Sequence, residues 1–136
     1  MKEIKFRFEK YNPNPFFEKD KRYTKGDCVI RSICKVTGLG WYEVYDLLCA
    51  KGRAMCDFGN QKEVYEAVLS DLGFQWVVVK REKRKKAETV ESFMESHQQG
   101  GYILRLAHHL TAVVDGVNYD AWYPQGYSVY GYWTKK

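Results

Sequence analysis

The dipeptide Asp115-Gly116, set between the alternating runs "HLTAVV" and "VNYDAW", constrains this chain more than any other stretch. A two-residue connection of this composition tolerates two consecutive positive φ angles and closes a type I′ turn, whose twist matches that of the strands it joins. The turn fixes the pairing: Val114 opposite Val117, Val113 opposite Asn118, Ala112 opposite Tyr119, Thr111 opposite Asp120 and His109 opposite Trp122. Side chains alternate with period two, so His109, Thr111 and Asp120 fall on one side of the ribbon, with Asp120 a diagonal neighbour of His109. His108 points to the other side. A carboxylate beside an imidazole fixes its tautomer and steadies its protonated form. The same pair also occurs as decoration on a half-exposed sheet, so the hairpin alone leaves both roles open.

A second constraint lies in "KGDCVIRSICKVTG", Lys25 to Gly38. Asp27 is a good N-cap, Ile30, Ile33 and Cys34 recur at helical spacing, and Gly38 ends the run. Cys28 therefore sits in the first helical turn. Unpaired N–H groups and the positive end of the helix dipole favour a thiolate there, and a cation lowers its pKa further. Lys25 and Arg31 are candidate cationic neighbours, whereas Asp27 opposes ionisation. Cys34, Cys49 and Cys56 read as ordinary small core residues. The four cysteines contain no C-x-x-C, so neither a zinc site nor another cofactor is expected.

The remaining elements follow from periodicity. "WYEVYDLLCAK" predicts a helix with Trp41, Val44, Tyr45 and Leu48 on one stripe, ending at Gly52. Another is predicted from Asn60, with Glu63 three residues on as in a capping box, a Val64, Ala67, Val68 stripe and Gly73 as its stop. "FQWVVVK" reads as a strand, and Thr89 caps a short helix, "VESFMESH". From Gly101 onward "YILRLA", "HLTAVV", "VNYDAW" and "YSVYGYW" all read as strands. Residues 11–27, with two Asn-Pro pairs, read as an irregular lead-in. The expectation is a single α+β domain over residues 1–136, with N-terminal helices packed on a C-terminal antiparallel sheet.

Charge and targeting narrow the function. The net charge is +5, and much of it comes from "KREKRKK", Lys80 to Lys86. Such a run reads first as a solvated loop and second as a surface for an anionic partner such as nucleic acid. The N-terminus has charges throughout and no apolar h-region, and no apolar run approaches the roughly 20 residues of a membrane span. A cytoplasmic protein with reduced thiols and no membrane partner is expected. Aromatic residues make up 16% of the chain, and those from Trp122 to Trp133 pack the sheet or line a groove beside it.

Taken together, "GDCVIRSICKVTGLGWYEVYDLL", "GYILRLAHHLTAVVDGVNYDAWYP" and the late "YW" resemble small papain-like cysteine peptidase-fold proteins of bacteria and their phages, akin to the bacteriocin-processing peptidases. The resemblance spans about Asn12 to Trp133. It implies a papain-like fold, with Cys28 as nucleophile, His109 as base and Asp120 as orienting acid. Such enzymes carry a Gln a few residues before the nucleophile to complete the oxyanion hole. Here the segment is "RYTKGD", with Arg22 near the expected place, and Asn12 and Asn14 are the nearby amides. Two functions follow: a cysteine hydrolase acting on an amide or isopeptide bond of a peptide or protein, or a catalytically inactive scaffold of the same shape that binds a protein or nucleic acid through its basic run.

Overall fold

A six-stranded sheet runs through the centre of the protein, with helices on both of its faces. The computed structural model describes residues 7–19 and 26–136. In chain order the elements are β1 (Phe8–Lys10), α1 (Pro15–Lys19), α2 (Cys28–Thr37), α3 (Trp41–Met55), α4 (Lys62–Asp71), β2 (Phe74–Val78), α5 (Val90–Ser96), β3 (Gly101–Leu106), β4 (His109–Val114), β5 (Val117–Asp120) and β6 (Gly131–Lys135). The strand order is β1-β5-β4-β3-β6-β2.

The sheet is mixed rather than antiparallel. β1 runs parallel to β5, with Phe8 opposite Asn118 and Lys10 opposite Asp120. Backbone bonds from Asn118 N–H to the Arg7 carbonyl and from Tyr11 N–H to the Asp120 carbonyl hold it there. The lead-in is likewise more ordered than its composition suggests, since Asn14 starts α1 by accepting from the Phe16 N–H. Nor is the sheet wholly C-terminal, because β2 lies at its far edge, paired with β6.

The central hairpin has the register its turn requires. Asp115 and Gly116 have φ of 51° and 79°, the two positive values of a type I′ turn. Val114 pairs with Val117, Val113 with Asn118 and Ala112 with Tyr119. A second tight hairpin, closed by Ala107-His108, sets Leu106 opposite His109 and so fixes where β4 begins.

Alternation along β3 divides the core in two. Ile103, Leu110 and Trp133 pack with Val29, Ile33, Val44, Leu48, Val68 and Leu69 of α2, α3 and α4. Leu104, Leu106 and Val113 face the other way and pack with Val90, Phe93 and Met94 of α5. Thr89 caps α5 through its side chain, accepting from the Ser92 N–H.

Two predicted helix boundaries shift. α3 continues through Gly52 to Met55, because Gly52 is buried where the returning loop crosses it: a Cβ there would lie 2.7 Å from the Asp57 carbonyl oxygen. α4 is flanked by Gln61 rather than Asn60 and has no side-chain cap. Lys80 to Lys86 form an exposed loop between β2 and α5. Among the described residues no helix is long and apolar enough to cross a membrane. All four cysteines are free thiols.

Candidate active site

α2 begins at Cys28 and ends where Gly38, at φ 82°, returns its N–H to the Cys34 carbonyl. Asp27 occupies the N-cap position as predicted, but its carboxylate makes no cap hydrogen bond. Its oxygens are taken elsewhere: Oδ1 by Arg31 Nη1 at 2.9 Å, Oδ2 by Asn14 Nδ2 at 3.0 Å and by Trp41 Nε1 at 2.9 Å. The first intrahelical bond runs from the Arg31 N–H to the Asp27 carbonyl. The N–H groups of the turn before it are thus left uncapped by Asp27 at the end of the helix that carries the thiol.

The hairpin brings the imidazole to that helix end. The Cys28 thiol shares one cleft with the His109 ring and with Leu110, whose backbone N–H, like the imidazole, favours the ionised sulfur. His109 Nε2 lies 2.7 Å from Asp120 Oδ2, which leaves Nδ1 as the ring atom for Cys28. Register thus places His109 and Asp120 as the turn requires, and the fold adds Cys28 from the far end of the sequence. The Trp122 ring covers His109, with centroids 4.8 Å apart and planes tilted by 31°.

Asp120 is fully buried, so its charge depends on partners. Besides His109 it accepts on Oδ1 from Arg31 Nη2 at 3.1 Å and from the Ala121 N–H at 2.6 Å, and the nearby Thr111 hydroxyl also favours its charged form. Asn118 in turn donates to the Thr111 oxygen at 2.9 Å. Arg31, 5% exposed, bridges the two carboxylates, Asp27 and Asp120. One chain of contacts therefore runs from Asn14 through Asp27, Arg31, Asp120 and His109 to Cys28.

The electrostatics follow from this chain. Burial resists ionisation of Asp120, but the hydrogen bonds from His109 and Thr111 and the nearby positive charges hold its pKa below the usual carboxylate value. Burial works against a charged His109, yet the bonds to Asp120 and Cys28 outweigh it and push its pKa up to about 9. Burial likewise disfavours the Cys28 thiolate, and the His109 hydrogen bond, the Leu110 N–H, and the charges of His109 and Arg31 bring its pKa below the ordinary thiol value. The lowered thiol and the raised imidazole both shift the pair toward thiolate and imidazolium, the nucleophilic form of a cysteine. Cys34, six residues along the same helix, moves the other way: burial raises it to about 11.

The sulfur and ring open onto a cleft of about 300 Å³, whose walls include Lys62, Tyr65, Arg105 and His108. Lys25 and Arg22 lie outside the described residues. Asn12 and Asn14 do not turn toward the sulfur. Asn12 accepts from the Asn14 N–H, and Asn14 spends its side chain on Phe16 and Asp27. Among the described residues no cluster of His, Cys, Asp and Glu is arranged to hold a metal ion. Sequence reasoning named Arg31 as a neighbour of the thiol but missed its bridge between two acids, and it missed the Trp41 bond to Asp27. The available signal for Arg31 was its place four residues after an acid on a helix face that is otherwise apolar. No protein-family model, curated protein or solved structure matches the chain.

Proposed function

We propose that this protein is a cysteine hydrolase that cleaves an amide or isopeptide bond of a peptide or protein, working in the reducing cytoplasm in the manner of the papain-like enzymes its motifs resemble. The observation that carries this reading is the Cys28 thiol sharing one cleft with an imidazole whose Nε2 is held at 2.7 Å by a buried carboxylate. The Cys28 sulfur attacks the carbonyl carbon, and the carbonyl π electrons move to oxygen. N–H groups at the start of α2, left uncapped by Asp27, stabilise that oxyanion. His109 gives its proton to the leaving nitrogen as the C–N bond breaks, which yields a thioester and a free amine. Water then attacks the thioester while His109 takes up its proton, and the acid leaves as the thiolate–imidazolium pair is restored.

The test is labelling by a thiol-reactive warhead that mimics an amide. Wild type and Cys34→Ala should label at one site, and Cys28→Ala should not label. Comparable labelling at Cys49, Cys56 and Cys28 would refute the reading, since exposure alone would then explain reactivity. The exposed basic loop supports a second reading, an inactive scaffold holding an anionic partner. It requires a salt-dependent mobility shift on DNA or RNA that disappears when Lys83 to Lys86 are neutralised.

A further inference from the structure

We propose that the cleft beside Cys28 is a receptor for a carboxylate, so that the substrate carries an acidic side chain next to the bond that is cut. This rests on the hydrolase reading and deepens it. The cleft that Cys28 lines is also lined by Lys62 from the start of α4, by Arg105 from β3 and by His108 from the β3–β4 turn. Among the described residues no carboxylate lines the cleft. Arg105 is half-buried, and among the described residues no carboxylate pairs with its charge. Among the described residues the one ion-pair partner of Lys62 is Glu66, 3.9 Å away on the same exposed helix face, a contact too long and too solvated to occupy it.

Tyr65 also lines the cleft. It is 8% exposed, and burial raises its pKa although the Arg105 charge pulls the other way, so it keeps its proton and offers a donor to an anion. The rest of the lining includes the apolar Val29, Leu106 and Leu110. A cleft lined by apolar side chains, two cations and a hydroxyl suits a short aliphatic stem ending in a carboxylate, which is the shape of Glu or Asp. A neutral side chain of equal size would leave the Arg105 and Lys62 charges without an anionic partner in the cleft.

The test uses bromoacetyl probes, in which the Cys28 sulfur displaces bromide from the CH₂ as the S–C bond forms. Bromoacetyl-glutamic acid α-amide is compared with bromoacetyl-glutamine amide. Bromoacetyl-glycine against bromoacetyl-glycinamide represents a chain-end carboxylate. At low salt the glutamyl probe should alkylate Cys28 about tenfold faster than its neutral partner, as expected for two partly exposed ion pairs. The preference should fall about fivefold in Arg105→Gln, persist in Arg105→Lys and shrink in 1 M salt, where screening is short-ranged. Because the ratio is taken within each variant, a general loss of reactivity cancels. A ratio unchanged by Arg105→Gln and Lys62→Gln overturns the carboxylate receptor while leaving the hydrolase reading standing. A preference confined to the glycine pair reassigns the site to a chain end and overturns the side-chain proposal. Neutral-probe alkylation no faster at Cys28 than at Cys49 overturns the hydrolase reading instead, and an Arg105-dependent ratio would then leave an anion site without catalysis.

Discussion

Replacing Arg31 with Met tests whether the two halves of the site are held together by one buried cation. The guanidinium is 5% exposed and donates at 2.9 Å to Asp27 and at 3.1 Å to Asp120, whose side chains are 9% and 1% exposed. Methionine fills much of the same volume, so the cavity term is small and the loss is electrostatic. Asp27 keeps Asn14 and Trp41 as donors, and Asp120 keeps His109 and the Ala121 N–H. Each therefore retains partial compensation, yet removing one member of a buried charge network typically costs about 3–5 kcal/mol. Against a total stability of about 5–15 kcal/mol for a domain of this kind, that is a large share. With a urea m-value of about 2 kcal/mol per M, the unfolding midpoint should fall by about 1.5–2.5 M. Arg31→Lys keeps the charge without the two-pronged geometry and should lie between the two. The same variants should move the pH dependence of Cys28 alkylation upward, because Arg31 helps to hold both Asp120 and the thiol ionised. A midpoint shift below about 0.5 M with an unmoved alkylation profile would show that Asp27 and Asp120 are each satisfied alone, and the idea of a shared clamp would fail.

Three further outcomes are expected. Asp120→Asn removes the charge that keeps His109 protonated, so the upper limit of the Cys28 alkylation plateau should drop from near pH 9 toward the ordinary imidazole range; an unchanged profile would assign that limit to another group. His109 has its pKa raised from 6.5 to about 9, so it binds a proton more tightly when folded. Its contribution of roughly 3 kcal/mol is complete below pH 6.5 and is lost as pH climbs to about 9, so urea titrations of His109→Gln should lack that decline. Gly52→Ala should destabilise by about 1–3 kcal/mol, even though alanine is the better helix former, because the new Cβ meets backbone at 2.7 Å; a raised melting temperature would refute the close crossing.

How much of this was legible beforehand depended on how local each signal is. Asp115-Gly116 forces a register, and that register fixed the neighbourhood of His109 and Asp120 from a dozen residues. The Thr89 cap and the Gly38 stop were visible for the same reason, since each concerns backbone groups within one turn. β1 was not visible. Three residues, "FEK", carry no alternation, and their place is set by β5, more than a hundred residues later. Asp27 looked like a cap because acids at that position usually cap, but Arg31, Asn14 and Trp41 compete for its oxygens, and only folding brings those donors together. Gly52 looked like a stop because a helical glycine costs backbone entropy, a cost outweighed here by the close crossing of the loop after Cys56.

The division of the site between the first helix after the lead-in and a hairpin near the end has a consequence for how the chain comes into being. While it is being synthesised, the segment carrying Cys28 emerges long before Asp120 exists. Until that hairpin is made and seated, the sulfur has no imidazole beside it, and a chain that stops short of Asp120 lacks the carboxylate that holds the ring.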